Sequence, residues 1–452
     1  MENTKIAFIS LGCDKNLIDS EIMLGLIEEE GYVITPDEST ADIVIVNSCG
    51  FIMDANQEAI DNILRVADYK ETGSLKGIIV TGCMAQRYKD EIFESLPEVD
   101  AVVGTGDFEK IGTVIKELVS GKKQVKLITD YNNKITETNS LKRKISTAGG
   151  FAYLKIAEGC NSLCTYCTIP SLRGKYRSRT MESLIDEAKM LAKNGVREII
   201  LIAQDTSLYG IDIYKEKALP KLISKISQIE GIEWIRLLYC YPENITDELI
   251  DEIASNPKVC HYMDMPIQHA DDEILKKMGR RSTKQGLLSV ISKIREKMPD
   301  FCFRTTLIVG FPGETQKHFD NLVDFIQTAK FDRLGVFTYS REEGTPAYDM
   351  PDQIDEDIKA ERKDYIMEVQ KNVSAEKCDS FIGQTLKVIV EGKIEGEENI
   401  FCGRSFRDCY EIDGFVFFES EKDLIAGDFL NIKITSASDY DLIGVIVDEL
   451  TE

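Results

Sequence analysis

At 452 residues the chain is too long for one compact core and divides into two or three domains. A hydrophobic content of 43% with 29% charged residues marks a folded globular protein, and a net charge of −24 disfavours generic nucleic-acid binding and favours a basic partner. No apolar run reaches the length of a membrane span, and no basic region precedes the short apolar N-terminal run as in a signal peptide. The twelve cysteines therefore read as metal ligands and core thiols of a reducing, cytoplasmic compartment.

In chain order, one unit recurs three times in the first hundred-odd residues. Lys5 to Leu11 is an apolar strand followed by Gly12 and Cys13, Asp42 to Val46 is followed by Asn47, Ser48 and Cys49, and Gly77 to Val80 is followed by Thr81, Gly82 and Cys83. Helical patterns over Ser20–Glu30 and Ala55–Tyr69 lie between them, so the alternation predicts βαβ units and a parallel sheet. Parallel strands present their C-terminal ends along one edge, where open α/β sheets bind ligands. Cys13, Cys49 and Cys83 are thus expected to converge, with Gly12, Gly50 and Gly82 letting the backbone approach. The bland alternative is three small buried residues at strand ends. Val99–Val103 and Phe108–Val119 are expected to complete this domain, and the polar stretch Lys122–Thr147 reads as a linker.

From Phe151 the alternation resumes with a longer period. Strands are predicted over Tyr153–Ala157, Glu198–Ala203, Trp234–Tyr239, His261–Met265, Arg304–Val309 and Gly335–Tyr339, with helices between them. Six βα units suggest an incomplete relative of the eight-unit barrel, with functional residues just past the strand ends. The first strand delivers Cys160, Cys164 and Cys167 in CxxxCxxC spacing, followed by Pro170 and the basic run Arg173, Lys175, Arg177 and Arg179. Three thiolates can hold a 4Fe–4S cluster with one iron open to a small molecule, whereas tetrahedral zinc wants a fourth ligand. A zinc knuckle completed from afar, or three incidental thiols, are the alternatives. The basic run either solvates a loop or offsets negative charge at such a site. Gln204, Asp205, Gln268, His269, Gly310, Pro312, Gly313 and Glu314 follow later strands and mark one rim, although Asp205 and Glu314 would equally cap helices.

A charged helix is predicted over Glu356–Glu376. Beyond Cys378 the pattern changes to five short strands, TLKVIVEG, ENIFCGR, GFVFFES, DFLNIKIT and DLIGVIVDEL, which predict a small all-β barrel. Cys378 to Glu452 holds 6 Lys and Arg against 17 Asp and Glu, the wrong sign for a phosphate-binding surface. Asp408, Glu411 and Asp413 in this module are expected to contact a basic protein.

The motifs SLGCDKNLIDSE, NSCGFI, TGCMAQRY, EGCNSLCTYCTIPSLRGKYRSR, AQDTSLYG, YCYPENITDELI, MDMPIQH and RTTLIVGFPGET resemble those of the radical S-adenosylmethionine (SAM) methylthiotransferases, and within them the RimO type. GRSFRDCYEIDG resembles the most characteristic run of that family's TRAM domain. Asp14 stands where the family often has Pro, and Cys409 interrupts a run that usually ends in Ala-Pro; neither touches an expected ligand. The resemblance implies an α/β fold with an N-terminal methylthiotransferase domain (1–125), a linker (126–147), a partial (β/α)6 radical SAM barrel (148–376) and a C-terminal all-β TRAM barrel (377–449). It implies two 4Fe–4S clusters, one on Cys160, Cys164 and Cys167 that cleaves SAM and one on Cys13, Cys49 and Cys83 that carries sulfur. Tyr166, just before the third cysteine, and Gln204 are then cofactor-binding residues. The implied activity is methylthiolation of an aspartate β-carbon in a basic small-subunit ribosomal protein, uS12, free or on the ribosome. An electron donor such as a flavodoxin or ferredoxin would supply the reducing equivalents. The related MiaB-type enzymes act on tRNA adenosine, which the acidic barrel disfavours, and a non-catalytic iron–sulfur scaffold would have no use for a barrel rim.

Overall fold

The computed structural model describes residues 4–129, 142–147 and 150–447. Residues 130–141 of the expected linker, and the last residues of the run DLIGVIVDEL, lie outside the described residues. The first domain is a six-stranded parallel sheet, β1 (Lys5–Ser10), β2 (Val33–Ile34), β3 (Ile43–Ser48), β4 (Gly77–Gly82), β5 (Ala101–Val103) and β6 (Val125–Leu127), in the order β2-β1-β3-β4-β5-β6. Apolar clusters cover both faces, which is why β3 and β4 read as unbroken apolar runs. Two strands escape the sequence reading, since β2 is two residues long and β6 lies in the segment read as linker. The first helix, α1 (Asp14–Glu29), starts directly after Cys13, six residues earlier than its apolar periodicity suggests. Its first turns carry Lys15, Asn16 and Asp19, which are buried and polar and so break the amphipathic pattern.

The central domain has six parallel strands in sequential order, β7 (Phe151–Lys155), β8 (Glu198–Ile202), β9 (Trp234–Leu237), β10 (Val259–Asp264), β11 (Cys302–Val309) and β12 (Arg333–Thr338). One set of alternating residues, such as Leu154, Ile199, Leu201 and Ile235, packs outward on the helices. The other set faces the barrel interior and includes Lys155, Glu198, Arg236, Asp264 and Arg304.

The third domain is a closed five-stranded barrel of β13 (Thr385–Lys393), β14 (Ile400–Ser405), β15 (Val416–Glu419), β16 (Phe429–Ala437) and β17 (Leu442–Ile446), reached through a helix over Glu356–Asp379. The loop after β14 plugs the end of the central barrel where its strands begin. Arg236 Nε donates to Glu198 Oε1 at 2.7 Å, and Arg404 Nη2 reaches Glu198 Oε2 at 2.7 Å. Asp408 pairs with Arg333, and Tyr262 Oη donates to Asp413 Oδ2 at 2.7 Å. The expectation that Asp408 and Asp413 meet a partner protein is therefore corrected, because both side chains are buried against the central barrel. Burial tends to raise the Asp408 carboxyl, but Arg333 and Arg407 hold it below its usual range. Glu411, with a left-handed φ of 60°, is exposed at the turn between them.

Candidate active site across the barrel mouth

The opposite end, where strands β7–β12 finish, faces the N-terminal sheet. Cys13, Cys49 and Cys83 follow β1, β3 and β4, three neighbouring strands, so the sheet itself brings them to one edge. Gly12 (φ 90°) and Gly82 (φ 91°) make the approach possible. A Cβ on Gly12 would stand 2.9 Å from Cys49 Cβ, and one on Gly50 would stand 2.7 Å from the Cys83 carbonyl carbon. The Phe51 N–H donates to the Cys49 thiol, whose pKa burial pushes up to about 11. Burial also raises the Cys83 thiol, against the pull of Arg173.

The second set sits in the loop after β7. Ser162 N donates to Cys160 Sγ at 3.3 Å and Ile169 N to Cys167 Sγ at 3.4 Å. Backbone donors of this kind commonly serve metal-bound thiolates. Burial, then the neighbouring thiols, push Cys167 up to about 12. Among the described residues no three His, Cys, Asp or Glu side chains are gathered tightly enough for a single ion. A four-iron cluster places its thiolates on separate irons and keeps them wider apart. The donor type, the backbone N–H groups and the clearance left by glycine all fit such clusters.

A polar bridge joins the two sets. Arg173 Nη1 contacts Asp19 Oδ2 at 2.8 Å and Glu158 Oε2 at 3.0 Å, and its other terminal nitrogen donates to Asn16. Lys155 Nζ reaches Asp19 at 2.5 Å and Glu158 at 2.9 Å. Burial would raise Glu158, yet Arg173 and Lys155 hold it well below the usual carboxylate range. The basic run is thus divided. Arg173 and Arg179 are buried, the latter on Glu187 at 2.7 Å, while Lys175 is exposed.

Gln204 Nε2 donates to Glu158 Oε1 at 2.7 Å, and its buried Oε1 has no protein donor among the described residues. Tyr166 is half-buried beside Phe311 and Tyr339, and its hydroxyl pKa is raised by burial and the Cys164 thiol. Of the other rim residues, Asp205, Glu314 and His269 bond within the scaffold. Asp205 accepts from Ser207 Oγ at 2.5 Å and Asn244 Nδ2 at 2.9 Å, and burial raises it to about 6. Glu314 closes its own loop by accepting from Gly310 N at 2.7 Å. His269 is fully buried, its Nδ1 accepting from Asp271 N at 3.0 Å, and burial lowers it to about 3.

Sequence reasoning missed three residues here. Arg280, 6% exposed and stacked 4.2 Å from the Tyr241 ring centroid, has Nε and Nη1 without protein acceptors among the described residues. Tyr239, at a left-handed φ of 58°, donates its hydroxyl to Asp14 Oδ2 at 3.1 Å. Asp14, in place of the family's usual Pro, occupies the first position of α1 and makes this cross-domain contact. Lys15 lies over the Tyr239 ring, 2.8 Å from its centroid. The run GCDKN carries the signal for Lys15, a cation two residues past a candidate ligand; Arg280 and Tyr239 lie far in sequence from the six candidate cysteines.

A parallel partial barrel with CxxxCxxC after its first strand, orphaned polar groups at the same mouth and a second thiol set facing it defines a radical SAM enzyme. The chain matches the family described as Uncharacterized protein family UPF0004 over residues 5–104, the Radical SAM superfamily over 154–326 and the TRAM domain over 382–447. It is 51% identical over 442 residues to the ribosomal protein uS12 methylthiotransferase RimO of Lachnoclostridium phytofermentans, covering 97% of this chain and 99% of that one. The protein of the same name from Acetivibrio thermocellus is 50% identical over 450 residues, covering 98% and 99%. The chain belongs to the RimO family of radical SAM methylthiotransferases. Among solved structures, the radical SAM methyltransferase TsrM of Kitasatospora setae aligns with a TM-score of 0.55 at 16% identity, over 76% of this chain and 77% of that one, a likeness of fold. No helix among the described residues is long and apolar enough to cross a membrane.

Proposed function

We propose that this chain methylthiolates the β-carbon of one aspartate in ribosomal protein uS12, in the cytoplasm, with electrons from a flavodoxin or ferredoxin. Cys160, Cys164 and Cys167 would hold the cluster that binds SAM, and Cys13, Cys49 and Cys83 a second cluster. When bound, the first supplies the electron that cleaves SAM to a radical able to remove hydrogen from an unactivated carbon, and the second supplies the sulfur. The observation that carries this reading is the facing of two thiol sets across one barrel mouth, bridged by Arg173, Asp19 and Glu158. The protein's own part is to seat those groups, with Tyr166, Gln204 and Arg280 offering the polar and aromatic contacts that SAM's adenine, amino and carboxylate groups require. The proposed division of the chain places the two thiol sets on separate domains, 1–125 and 148–376. The TRAM module at 377–449 would then brace the barrel from its far end.

Replacing Cys160, Cys164 and Cys167 together with Ala should leave about half of the reconstituted iron, the share of one cluster of two, and abolish SAM cleavage. Replacing Cys13, Cys49 and Cys83 should preserve SAM cleavage and abolish methylthio product on uS12. Full iron in the first variant, or repeated turnover to product in the second, would overturn the two-cluster reading. Methylthiolated tRNA adenosine with unmodified uS12 would favour the sister substrate instead.

A further inference from the structure

We infer that the Lys15 ammonium is the group that receives the carboxylate of the substrate aspartate, and thereby holds the reacting carbon between the two thiol sets. The assignment deepens the uS12 reading above and rests on it.

Lys15 is 5% exposed, yet it makes no hydrogen bond and no ion pair with any described residue. Its neighbours differ. Lys155 holds Asp19 and Glu158, Arg173 holds the same two, and Arg304 holds Asp264 at 2.8 Å. The carboxylates nearest Lys15 are therefore already engaged. Asp14 accepts the Tyr239 hydroxyl, and Asp264 accepts Arg304 together with the Tyr239 N–H at 3.2 Å. The ammonium is left with the Tyr239 ring and with carboxylates that other groups already hold, and so is free to pair with an anion that a ligand brings.

Its position says which partner. Lys15 lies two residues past Cys13 and over Tyr239, the residue at which the chain leaves the barrel mouth. It stands between the edge that gathers Cys13, Cys49 and Cys83 and the mouth that carries Cys160, Cys164 and Cys167. The left-handed φ of Tyr239 sets the ring that supports it, a strained conformation of the kind that accumulates at ligand sites. In aspartate the β-carbon is bonded directly to the carboxylate carbon. A group that fixes the carboxylate therefore fixes the C–H bond to be broken one bond away. The acids around it, Asp19, Glu158 and Asp264, already hold Lys155, Arg173 and Arg304, so those three cations are taken and Lys15 is the one beside Cys13 that can receive a further carboxylate. An asparagine side chain offers no charge to Lys15 and gains much less from it.

The test uses full-length, cluster-reconstituted enzyme with SAM, and uS12 in two forms, native and with its target aspartate replaced by asparagine. Binding is measured for wild type, Lys15→Met and Lys15→Arg, with iron content determined on each. The wild type should bind native uS12 at least about tenfold more tightly than the asparagine form, the difference a charge-assisted contact makes. Lys15→Met should bind the two forms alike, by weakening binding of the native form, while Lys15→Arg keeps the preference. If Lys15→Met retains the tenfold preference, or loses iron so that Lys15 proves to be a counter-ion of the cluster, the assignment is wrong. A wild-type enzyme that modifies uS12 without preferring its aspartate form overturns the assignment alone. One that neither binds nor modifies uS12 overturns the functional reading beneath it.

Discussion

The two ends of the central barrel hold similar numbers of buried charges and use them differently. Where the strands begin, Glu198, Arg236, Arg404, Glu391, Arg333 and Asp408 close into ion pairs, and Asp413 accepts from Tyr262, between the barrel and its C-terminal module. Where the strands end, Asp19, Glu158, Lys155 and Arg173 pair between the barrel and the N-terminal sheet, beside six free thiols, and Gln204 and Arg280 keep buried polar atoms without partners among the described residues. Unmatched polar atoms occur at both ends, the Arg407 guanidinium among them at the plug; only at the mouth do they stand beside two sets of thiols. The same residue types therefore tie the C-terminal module to the barrel at one end and border the two thiol sets at the other.

The largest expected effect tests the plug. Glu198→Ala leaves Arg236 and Arg404 buried without their shared carboxylate and should cost about 3–5 kcal/mol, read by thermal or denaturant unfolding of the whole chain. Unfolding at the wild-type midpoint would mean that the ion pairs do not hold the module. A second measurement concerns His269, buried and neutral behind the chamber. Its pKa is lowered from about 6.5 to about 3 by burial, so its contribution is complete above pH 6.5 and is lost as the pH falls through that window. Wild type should lose about 1.4 kcal/mol more per pH unit in that range than His269→Gln does. Parallel pH profiles would show instead that the imidazole is accessible to protons in the folded state.

At the chamber end, Arg173→Met should destabilise less, by about 1–3 kcal/mol, because Lys155 still serves both carboxylates. Its signature should be chemical, with lower iron occupancy attributable to Cys13, Cys49 and Cys83. Equal iron in variant and wild type would reduce Arg173 to a structural tie. The smallest effect belongs to Glu411, in the same loop as Asp408 and Asp413 but exposed. Glu411→Gln should change stability by less than about 0.5 kcal/mol, whereas Asp408→Asn strands Arg333 and should be clearly destabilising. Equal losses from the two would contradict the burial of Asp408.

Much of this was legible in the chain. Apolar runs of period two and helices of period 3.6 placed β1, β3 and β4, all six barrel strands and all five strands of the C-terminal barrel, because burial on both faces leaves a continuous apolar signature. The CxxxCxxC thiols were legible as one set because they are local in sequence. Cys13, Cys49 and Cys83 were legible because parallel strands of equal phase must end at one edge. Strand β6, three residues in a polar stretch, carries no such signature.

What the sequence by itself determined was therefore the order of elements and which thiols belong together, since periodicity and strand direction are local properties of the chain. Tertiary structure alone decided the fate of the charges. Nothing in the run GRSFRDCYEIDG distinguishes Asp408 from Glu411, and nothing in GCDKN shows that Lys15 lacks a partner while Lys155 has two. Ion pairing depends on which elements meet across domains, at separations of more than a hundred residues for Lys155 and Asp19. Burial then multiplies each pairing, or each lack of one, far beyond its value in water.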